Sequence, residues 1–241
     1  YASRSMVMAG GAISRTCEVL GEHIRRIGAH LLQCEFEDTR IENACVVGSS
    51  SNVTFAEIAR VWHRNPEELP ADVDPAGVEV TSGFRPSPDN SPFSYATHAC
   101  VIALDPKLGQ VEILDYVISE DCGTIVNPMI VHGQVQGGIA SGLGQAVLER
   151  TEYDVSGQLL SGSYMDYALP RADDMPSLSG SLFEKAPCLT NPLGAKGTGE
   201  IGAVAGPPAI VHAVIDALAE KGITQVDMPL QPQKIWECLN R

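Results

Sequence analysis

A single glutamate lies in a glycine-rich segment near the end of this 241-residue chain. The segment, residues 191–202, reads NPLGAKGTGEIG, and Glu200 is its one carboxylate. We refer to it as the glycine loop. Because glycine has no Cβ, such a loop lets the backbone approach a bound molecule closely and adopt positive φ angles without strain. The pattern indicates a loop that lines an extended ligand and presents Glu200 as the reactive group.

The spacing of the loop glycines also matches two phosphate-binding patterns. Gly197, Gly199 and Gly202 fit G-x-G-x-x-G, and Val204 extends the match to the glycine loop of protein kinases. A dinucleotide-binding loop follows a strand and opens a helix, whereas Pro207-Pro208 is expected to interrupt a helix here. A kinase needs catalytic and metal-binding motifs downstream, and too few residues follow. An unrelated nucleotide-binding enzyme and a solvated glycine turn stay as alternatives.

Further polar segments could contribute to the same site. Ser3-Arg4-Ser5 places two hydroxyls beside a guanidinium, a combination that binds oxyanions. Residues 121–128 read DCGTIVNP and lead into a glycine-rich helical segment that contains Gln134. Glycines cost about 1 kcal/mol each in a helix, so a second backbone or a ligand is expected to approach this segment closely. A solvated N-terminal loop and ligand-free helix packing are the alternatives.

Composition restricts the classes of function. The formal net charge is −14 without a basic cluster, which argues against nucleic acid and anionic membranes as partners. The apolar stretches are interrupted before the roughly 18 residues of a membrane span, and no secretory signal pattern begins the chain. The seven cysteines lack C-x-x-C spacing. They indicate reduced, cytoplasmic thiols without an iron–sulfur or zinc site.

Hydrophobic periodicity in the first part of the chain predicts two helices. An apolar stripe from Ile13 to Leu31 recurs at steps of three and four, which indicates one buried helix face. Thr54 and Glu57 fit a capping box at the start of the second helix. A proline-rich connection with a short strand at Val78–Thr81 is expected to follow.

The rest of the chain predicts hairpins, turns and helices. Two β-rich runs, 95–104 and 110–119, flank a turn sequence and predict a hairpin. An extended stretch is expected at Ser161–Pro170, after a turn at 153–158. The last helices are predicted at 209–219 and from Pro232 to Leu239. This alternation predicts an α+β fold of hairpins and a mixed sheet with packed helices. We expect two lobes, at 1–63 and 93–241, joined by residues 64–92.

In their order along the chain, these motifs resemble the molybdenum-binding large subunit of the xanthine dehydrogenase and aldehyde oxidase family, close to carbon monoxide dehydrogenase-like large subunits. The resemblance is carried by D-C-G-T-I-V-N-P with G-Q-V-Q-G-G, by residues 157–170, and by G-A-K-G-T-G-E-I-G with its P-P-A-I helix. It implies that residues 1–241 are the C-terminal part of a molybdopterin-binding domain, and that both lobes share one cofactor-binding face.

The resemblance implies a molybdenum hydroxylase that oxidises a heterocycle, an aldehyde or a similar small molecule with water as the oxygen source. Glu200 matches the general base of the family, and no protein residue is expected to ligate the metal. The cofactor is expected to be molybdopterin, in its cytosine dinucleotide form. The residues that match cofactor contacts are Ser3, Arg4, Ser5, Cys122, Thr124, Asn127, Gln134, Lys196, Gly197, Thr198 and Gly199.

The resemblance also implies partner chains. An N-terminal portion of the large subunit would complete the pocket and carry most of the substrate-selecting residues. Iron–sulfur and flavin subunits would carry the electrons, because this chain has no cysteine motif for such a centre. The chain alone is therefore expected to be inactive. A non-catalytic assembly or cofactor-carrying fragment of such an enzyme is the alternative.

Overall fold

The structure, a computed structural model, describes residues 2–73, 78–86 and 92–240. These residues form five α-helices and six β-strands, which confirms the α+β class. The chain divides into two compact units, one of Met8–Pro86 and one of Tyr1–Val7 with Ser87–Arg241. The boundaries of the two lobes stay a prediction, and Pro75 and Pro88 of the expected connection lie outside the described residues.

The unit Met8–Pro86 packs two helices on a small antiparallel sheet. Its elements are α1 (Ser5–Leu32), which begins in the other unit, β1 (Arg40–Glu42), β2 (Cys45–Val47), β3 (Asn52–Thr54) and α2 (Phe55–Arg64). A Cβ on Gly28 of α1 would lie 2.6 Å from the Val46 side chain, so the helix backbone rests directly on the strand. Ile27, Ile58 and Trp62 complete this core with Val46.

Both predicted helices of this unit are confirmed, with one difference along α1. Thr54 and Glu57 form the capping box on α2. In the apolar stripe Ile27 is fully buried, whereas Ile13 is 62% exposed, because the core gathers around the C-terminal half of α1. The predicted strand at Val78–Thr81 is wrong. Val78 is held by side-chain packing on the core instead of strand pairing.

The larger unit is built around a mixed three-stranded sheet. The predicted hairpin is confirmed as β4 (Tyr95–Leu104) and β5 (Val111–Asp121), and β6 (Leu178–Phe183) pairs in parallel with β5. β6 was not predicted, because its Ser-Gly-Ser centre lacks a strand's usual apolar alternation. The expected extended stretch at Ser161–Pro170 is wrong, because the N–H groups of Asp166 and Tyr167 close a turn on Ser163.

Three helices pack on this sheet. They are α3 (Pro128–Leu143), which continues into a π-helical turn at Gly144–Leu148, α4 (Ile201–Ala217) and α5 (Pro232–Leu239). The expectation that Pro207-Pro208 interrupts a helix after the glycine loop is wrong, because both prolines lie inside α4. An interior proline costs a helix about 3 kcal/mol. Pro207 is buried against α3, and this packing opposes the cost, whereas Pro208 is exposed.

Three observations bear on the compositional expectations. All seven cysteines are free thiols. Within the described segments, no helix has both the length and the apolar run that crossing a bilayer requires. The same residues contain no group of three or more His, Cys, Asp or Glu side chains that could hold a metal ion.

Candidate functional site

The glycine loop is placed by the packing of α4 against α3. Gly138 and Gly142 form the packed face of α3. A Cβ on Gly202 would lie only 2.6 Å from the backbone nitrogen of Ile139, and one on Gly142 would lie 2.9 Å from Cδ of Pro207. The two helices therefore meet at backbone contact. Because the glycine loop leads directly into α4, this contact fixes the end of the loop beside α3.

Backbone contacts attach the glycine loop to the segment that follows β5. The N–H of Lys196 donates to the carbonyl of Cys122 at 2.8 Å, and the N–H of Thr124 donates to the carbonyl of Gly194 at 2.9 Å. Gly123 has a φ of +66°, and the Gly194 carbonyl fills the space that a side chain there would need. Only glycine fits this junction.

Two side chains of the glycine loop contact acidic residues at the end of β5. Lys196 Nζ lies 2.9 Å from Asp121 Oδ2, with both side chains largely buried. Burial alone would raise the pKa of Asp121, but hydrogen bonds from Lys196 and from the N–H of Gly123 lower it below its ordinary value. Thr198 Oγ1 donates to Oε1 of the fully buried Glu120. Burial raises the pKa of Glu120, and the Thr198 hydrogen bond opposes that effect.

The predicted catalytic residue lies in a cluster with four predicted cofactor contacts. Ser3 Oγ donates to Glu200 Oε2 at 2.9 Å. A Cβ on Gly199 would lie 3.1 Å from Gln134 Nε2 and 3.2 Å from Ser3 Oγ, and one on Gly197 would lie 2.8 Å from Ser3 Cβ. Ser3 has a φ of +49°, a conformation that is uncommon outside glycine and that often occurs at functional sites. Glu200 itself is exposed.

Beside this cluster lies an open surface with unused hydrogen-bond donors. A Cβ on Gly133 or Gly137 would meet no described atom within 4 Å, and these two glycines define the open face of α3. The N–H groups of Gly197, Thr198 and Gly199 donate to no acceptor in the part of the chain that the structure describes. The arrangement can therefore accept a flat molecule that carries hydrogen-bond acceptors.

The remaining predicted contacts lie around this cluster or beneath it. Arg4 and Ser5 are exposed and follow Ser3 directly, at the start of α1. Thr124 is exposed, and Asn127 caps the first turn of α3 with its side-chain oxygen. The side chain of Cys122 lies in the core, where burial raises the pKa of its thiol to about 11. The structure therefore does not bring that thiol to Glu200, and any contact from Cys122 would use its backbone.

Two features of the site were not predicted from the sequence. One is the pair of acids, Glu120 and Asp121, that contact the glycine loop, and the other is the difference between the packed and the open glycines of α3. One signal was available for Glu120. In β5, Tyr116, Ile118 and Glu120 alternate on one face, and all three are buried. A glutamate that continues a buried apolar alternation is a polar group in need of a partner.

Known proteins are similar to this chain in sequence. Residues 1–176 match the family model of the molybdopterin cofactor-binding domain. The chain is 34% identical over 236 residues to the nicotine 6-hydroxylase large subunit of Paenarthrobacter nicotinovorans. It is 33% identical over 242 residues to the carbon monoxide dehydrogenase large chain of Hydrogenophaga pseudoflava. These matches cover 97% and 99% of this chain but only 28% and 29% of the relatives.

The fold is also similar to a solved structure. Quinoline 2-oxidoreductase from Pseudomonas putida 86 superimposes with a TM-score of 0.91 at 33% sequence identity. The match covers 100% of this chain and 30% of the other. The glycine loop lies beyond the residues matched by the family model, but within the region shared with this structure.

Proposed function

Because the chain belongs to the molybdopterin cofactor-binding domain of the xanthine dehydrogenase and carbon monoxide dehydrogenase large-subunit family, we propose that it forms one wall of the cofactor site of a molybdenum hydroxylase, with Glu200 as the general base. The observation that carries this proposal is the cluster at the open face of α3. There Glu200 accepts a hydrogen bond from Ser3, and Gln134 and Gly199 adjoin that contact.

The residues of this site fit a molybdopterin. The pterin is flat and rich in acceptors, and its tail carries phosphate oxyanions. The open face of α3 offers a surface without side chains at Gly133 and Gly137, and the N–H groups of Gly197 to Gly199 offer donors. When bound, the cofactor supplies a metal centre that accepts two electrons from the substrate. The residues that would hold it are Ser3, Arg4, Ser5, Thr124, Asn127, Gln134, Lys196, Gly197, Thr198 and Gly199, with Cys122 through its backbone.

In this proposal the chain's own side chains manage one proton. Glu200 Oε2 is oriented by the Ser3 hydroxyl, while Oε1 makes no hydrogen bond to the described residues and is available to take a proton. The side-chain amide of Gln134 lies beside Gly199, the residue that precedes Glu200. From there it would orient the polar edge of a bound molecule. A base positioned in this way contributes about 10²–10⁴ in rate. Glu200 is exposed in this chain, so its cover would come from the rest of the subunit.

The finer details of the enzyme are part of the same proposal. The chain spans less than a third of the length of the relatives that it matches. An N-terminal portion of the large subunit would therefore supply the opposite wall and the substrate-selecting residues, so that the predicted lobes share one cofactor-binding face. The cofactor would be the cytosine dinucleotide form of molybdopterin. Iron–sulfur and flavin subunits would pass on the electrons, and the substrate would be a heterocycle, an aldehyde or a similar small molecule.

The test is Glu200→Gln in the full-length subunit assembled with its partner chains. We expect molybdenum and pterin contents to stay at the wild-type level, because the amide keeps the shape of the side chain. Turnover per molybdenum should fall by about 10²–10⁴, because no neighbouring group replaces the base. Glu220→Gln is the matched control, since Glu220 is an exposed glutamate in the short 3-10 turn that follows α4.

Turnover of Glu200→Gln within tenfold of wild type would remove Glu200 as the base. An assembly that holds molybdenum but turns over none of a panel of N-heterocycles, aldehydes and carbon monoxide would favour the alternative, a fragment that only carries the cofactor or supports assembly. Pterin content measured on the same samples shows whether any loss of turnover comes from loss of the cofactor, because it reports binding and not turnover.

A further inference from the structure

Glu120 is a buried acid that the proposed reaction does not use. It is fully buried at the end of β5, and its Oε1 contacts the hydroxyl of Thr198. Its second oxygen, Oε2, is buried and has no hydrogen-bond partner among the described residues. Natural proteins rarely leave a buried polar atom unpaired without a structural or functional reason. Its one hydrogen-bond partner among the described residues, Thr198, belongs to the glycine loop, so this buried strand residue contacts the loop directly.

The surroundings of Glu120 favour its neutral form. Lys196, two residues before Thr198, is already paired with Asp121, and Cys122, two residues after Glu120, is a buried thiol. In the described segments no ion pair reaches Glu120. A buried carboxylate with one neutral partner costs several kcal/mol, whereas a buried carboxylic acid costs much less. Burial accordingly raises the pKa of this carboxyl.

The position of Thr198 makes this contact relevant to the site. Thr198 lies between Gly197 and Gly199, which both pack on Ser3, and it precedes Glu200 by two residues. The contact between Lys196 and Asp121 fixes the start of this short segment, and the packing of α4 on α3 fixes its end. Between them, the bond from Thr198 to Glu120 is the one side-chain hydrogen bond that residues 197–199 make to the described residues, in a stretch of glycines that has little stiffness of its own.

We propose that Glu120 is a positioning residue, which holds the Thr198 hydroxyl and thereby sets where the glycine loop presents Glu200. This inference rests on the proposed role of Glu200. Glu120 does not touch the reacting atoms. It acts through Thr198, and a displacement of about 1 Å in a catalytic group can cost 10²-fold in rate.

The first test measures kcat and KM per molybdenum in the assembled enzyme for Glu120→Ala, Thr198→Val and the double variant. Each single variant should lower kcat by about 10²-fold, with KM changed less than about threefold. The double variant should be little worse than the poorer single variant, because both remove one contact. Additive losses, or wild-type kcat in Glu120→Ala, would overturn the proposal. Glu112→Ala, on the exposed part of β5, is the matched control.

Conservative variants keep the proposal testable where Glu120→Ala does not fold. Glu120→Gln and Thr198→Ser preserve a neutral hydrogen-bonding pair, and each should retain kcat within about tenfold of wild type. Glu120→Gln as damaging as Thr198→Val would contradict the neutral-acid role. Infrared spectroscopy gives a second readout: the wild type at neutral pH should show the carbonyl band of a protonated carboxyl, which Glu120→Gln loses and Glu112→Gln keeps. A wild type without that band would also overturn the neutral form.

These results separate the inference from the proposed function. The infrared band does not depend on catalysis. The coupling of Glu120 to Thr198 can also be measured without catalysis, as the non-additive change in the free energy of unfolding across Glu120→Ala, Thr198→Val and the double variant. If Glu200→Gln stays active while both readouts appear, Glu200 is not the base, but Glu120 still holds Thr198. If Glu200→Gln is inactive and both readouts are missing, Glu200 remains the base and the role of Glu120 is wrong.

Discussion

The two faces of α3 use the same residue type at the same spacing for different purposes. Gly138 and Gly142 form the packed face, which rests on the backbone of α4. Gly133 and Gly137 form the open face, which no described atom approaches. Both pairs are four residues apart and cost the helix the same intrinsic stability. Glycine spacing in a helix therefore indicates that something approaches the helix backbone closely, whereas only the fold shows whether a second helix or a ligand can do so.

The polar groups around the glycine loop divide in the same way. On the side of β5, Lys196 pairs with Asp121 and Thr198 pairs with Glu120. The N–H groups of Gly197 to Gly199, by contrast, lack partners among the described residues, and Glu200 is exposed. Substitutions that disturb the packed side should therefore change stability, and bulky side chains added to the open face should change cofactor content.

The largest effect is expected for Gly202→Ala. The new methyl group would lie 2.6 Å from the Ile139 nitrogen and 2.7 Å from the Gly138 carbonyl carbon, both of them backbone atoms that cannot rotate away. We expect the free energy of unfolding to fall by about 3 kcal/mol, as measured by urea denaturation. The control is Gly133→Ala on the open face, which should be neutral or more stable by up to about 1 kcal/mol. Equal effects of the two substitutions would remove the distinction between the faces.

A second prediction concerns Gly137→Leu on the open face. The leucine side chain would occupy the surface proposed for the pterin, while the helix gains a better helix former. Molybdenum retained by the assembled enzyme after gel filtration should fall at least tenfold, which corresponds to about 1.4 kcal/mol of binding. The melting temperature of the protein should not fall. Glu237→Leu adds the same side chain to an exposed position of α5 and should retain full molybdenum.

A smaller loss is expected for Arg4→Ala. A guanidinium beside two serine hydroxyls is suited to an oxyanion of the cofactor tail. Molybdenum occupancy should therefore fall severalfold while turnover per molybdenum stays close to wild type. Arg4→Lys keeps the charge without the planar fork and should lie in between. Full occupancy with reduced turnover per molybdenum would place Arg4 at the chemical step instead.

The smallest effects are in the pH dependence of stability. The pKa of Asp121 is lowered, so its contribution is present above its unfolded value of 3.8 and is lost as pH falls through the folded value. The pKa of Glu120 is raised, so its contribution is present below its unfolded value of 4.5 and is lost as pH rises through the folded value. Urea denaturation against pH should therefore respond oppositely to Asp121→Asn and Glu120→Gln.

In that series, Asp121→Asn should flatten the acid side of the stability curve. Glu120→Gln should flatten the decline that begins above the unfolded pKa of Glu120. A curve that keeps its shape in both variants would mean that neither acid is bound to the glycine loop as the structure indicates.

Local signals in the sequence predicted much of the fold. The capping box at Thr54, the hairpin around Asp105 and the proline start of α5 are decided by a few neighbouring residues, and each is confirmed. β6 and the passage of α4 through Pro207 are decided by partners distant in sequence, and both were missed. The cluster around Glu200 shows the same limit, because its members come together only through the packing of α3 on α4.

A structure of the assembled enzyme with its cofactor bound would test the proposed site most directly. We predict that the pterin lies in van der Waals contact with the open face of α3 at Gly133 and Gly137. We also expect the N–H groups of Gly197 to Gly199 to face cofactor oxygens and Glu200 to border the substrate position. A protein segment filling the open face, with the cofactor bound away from Glu200, would contradict these predictions.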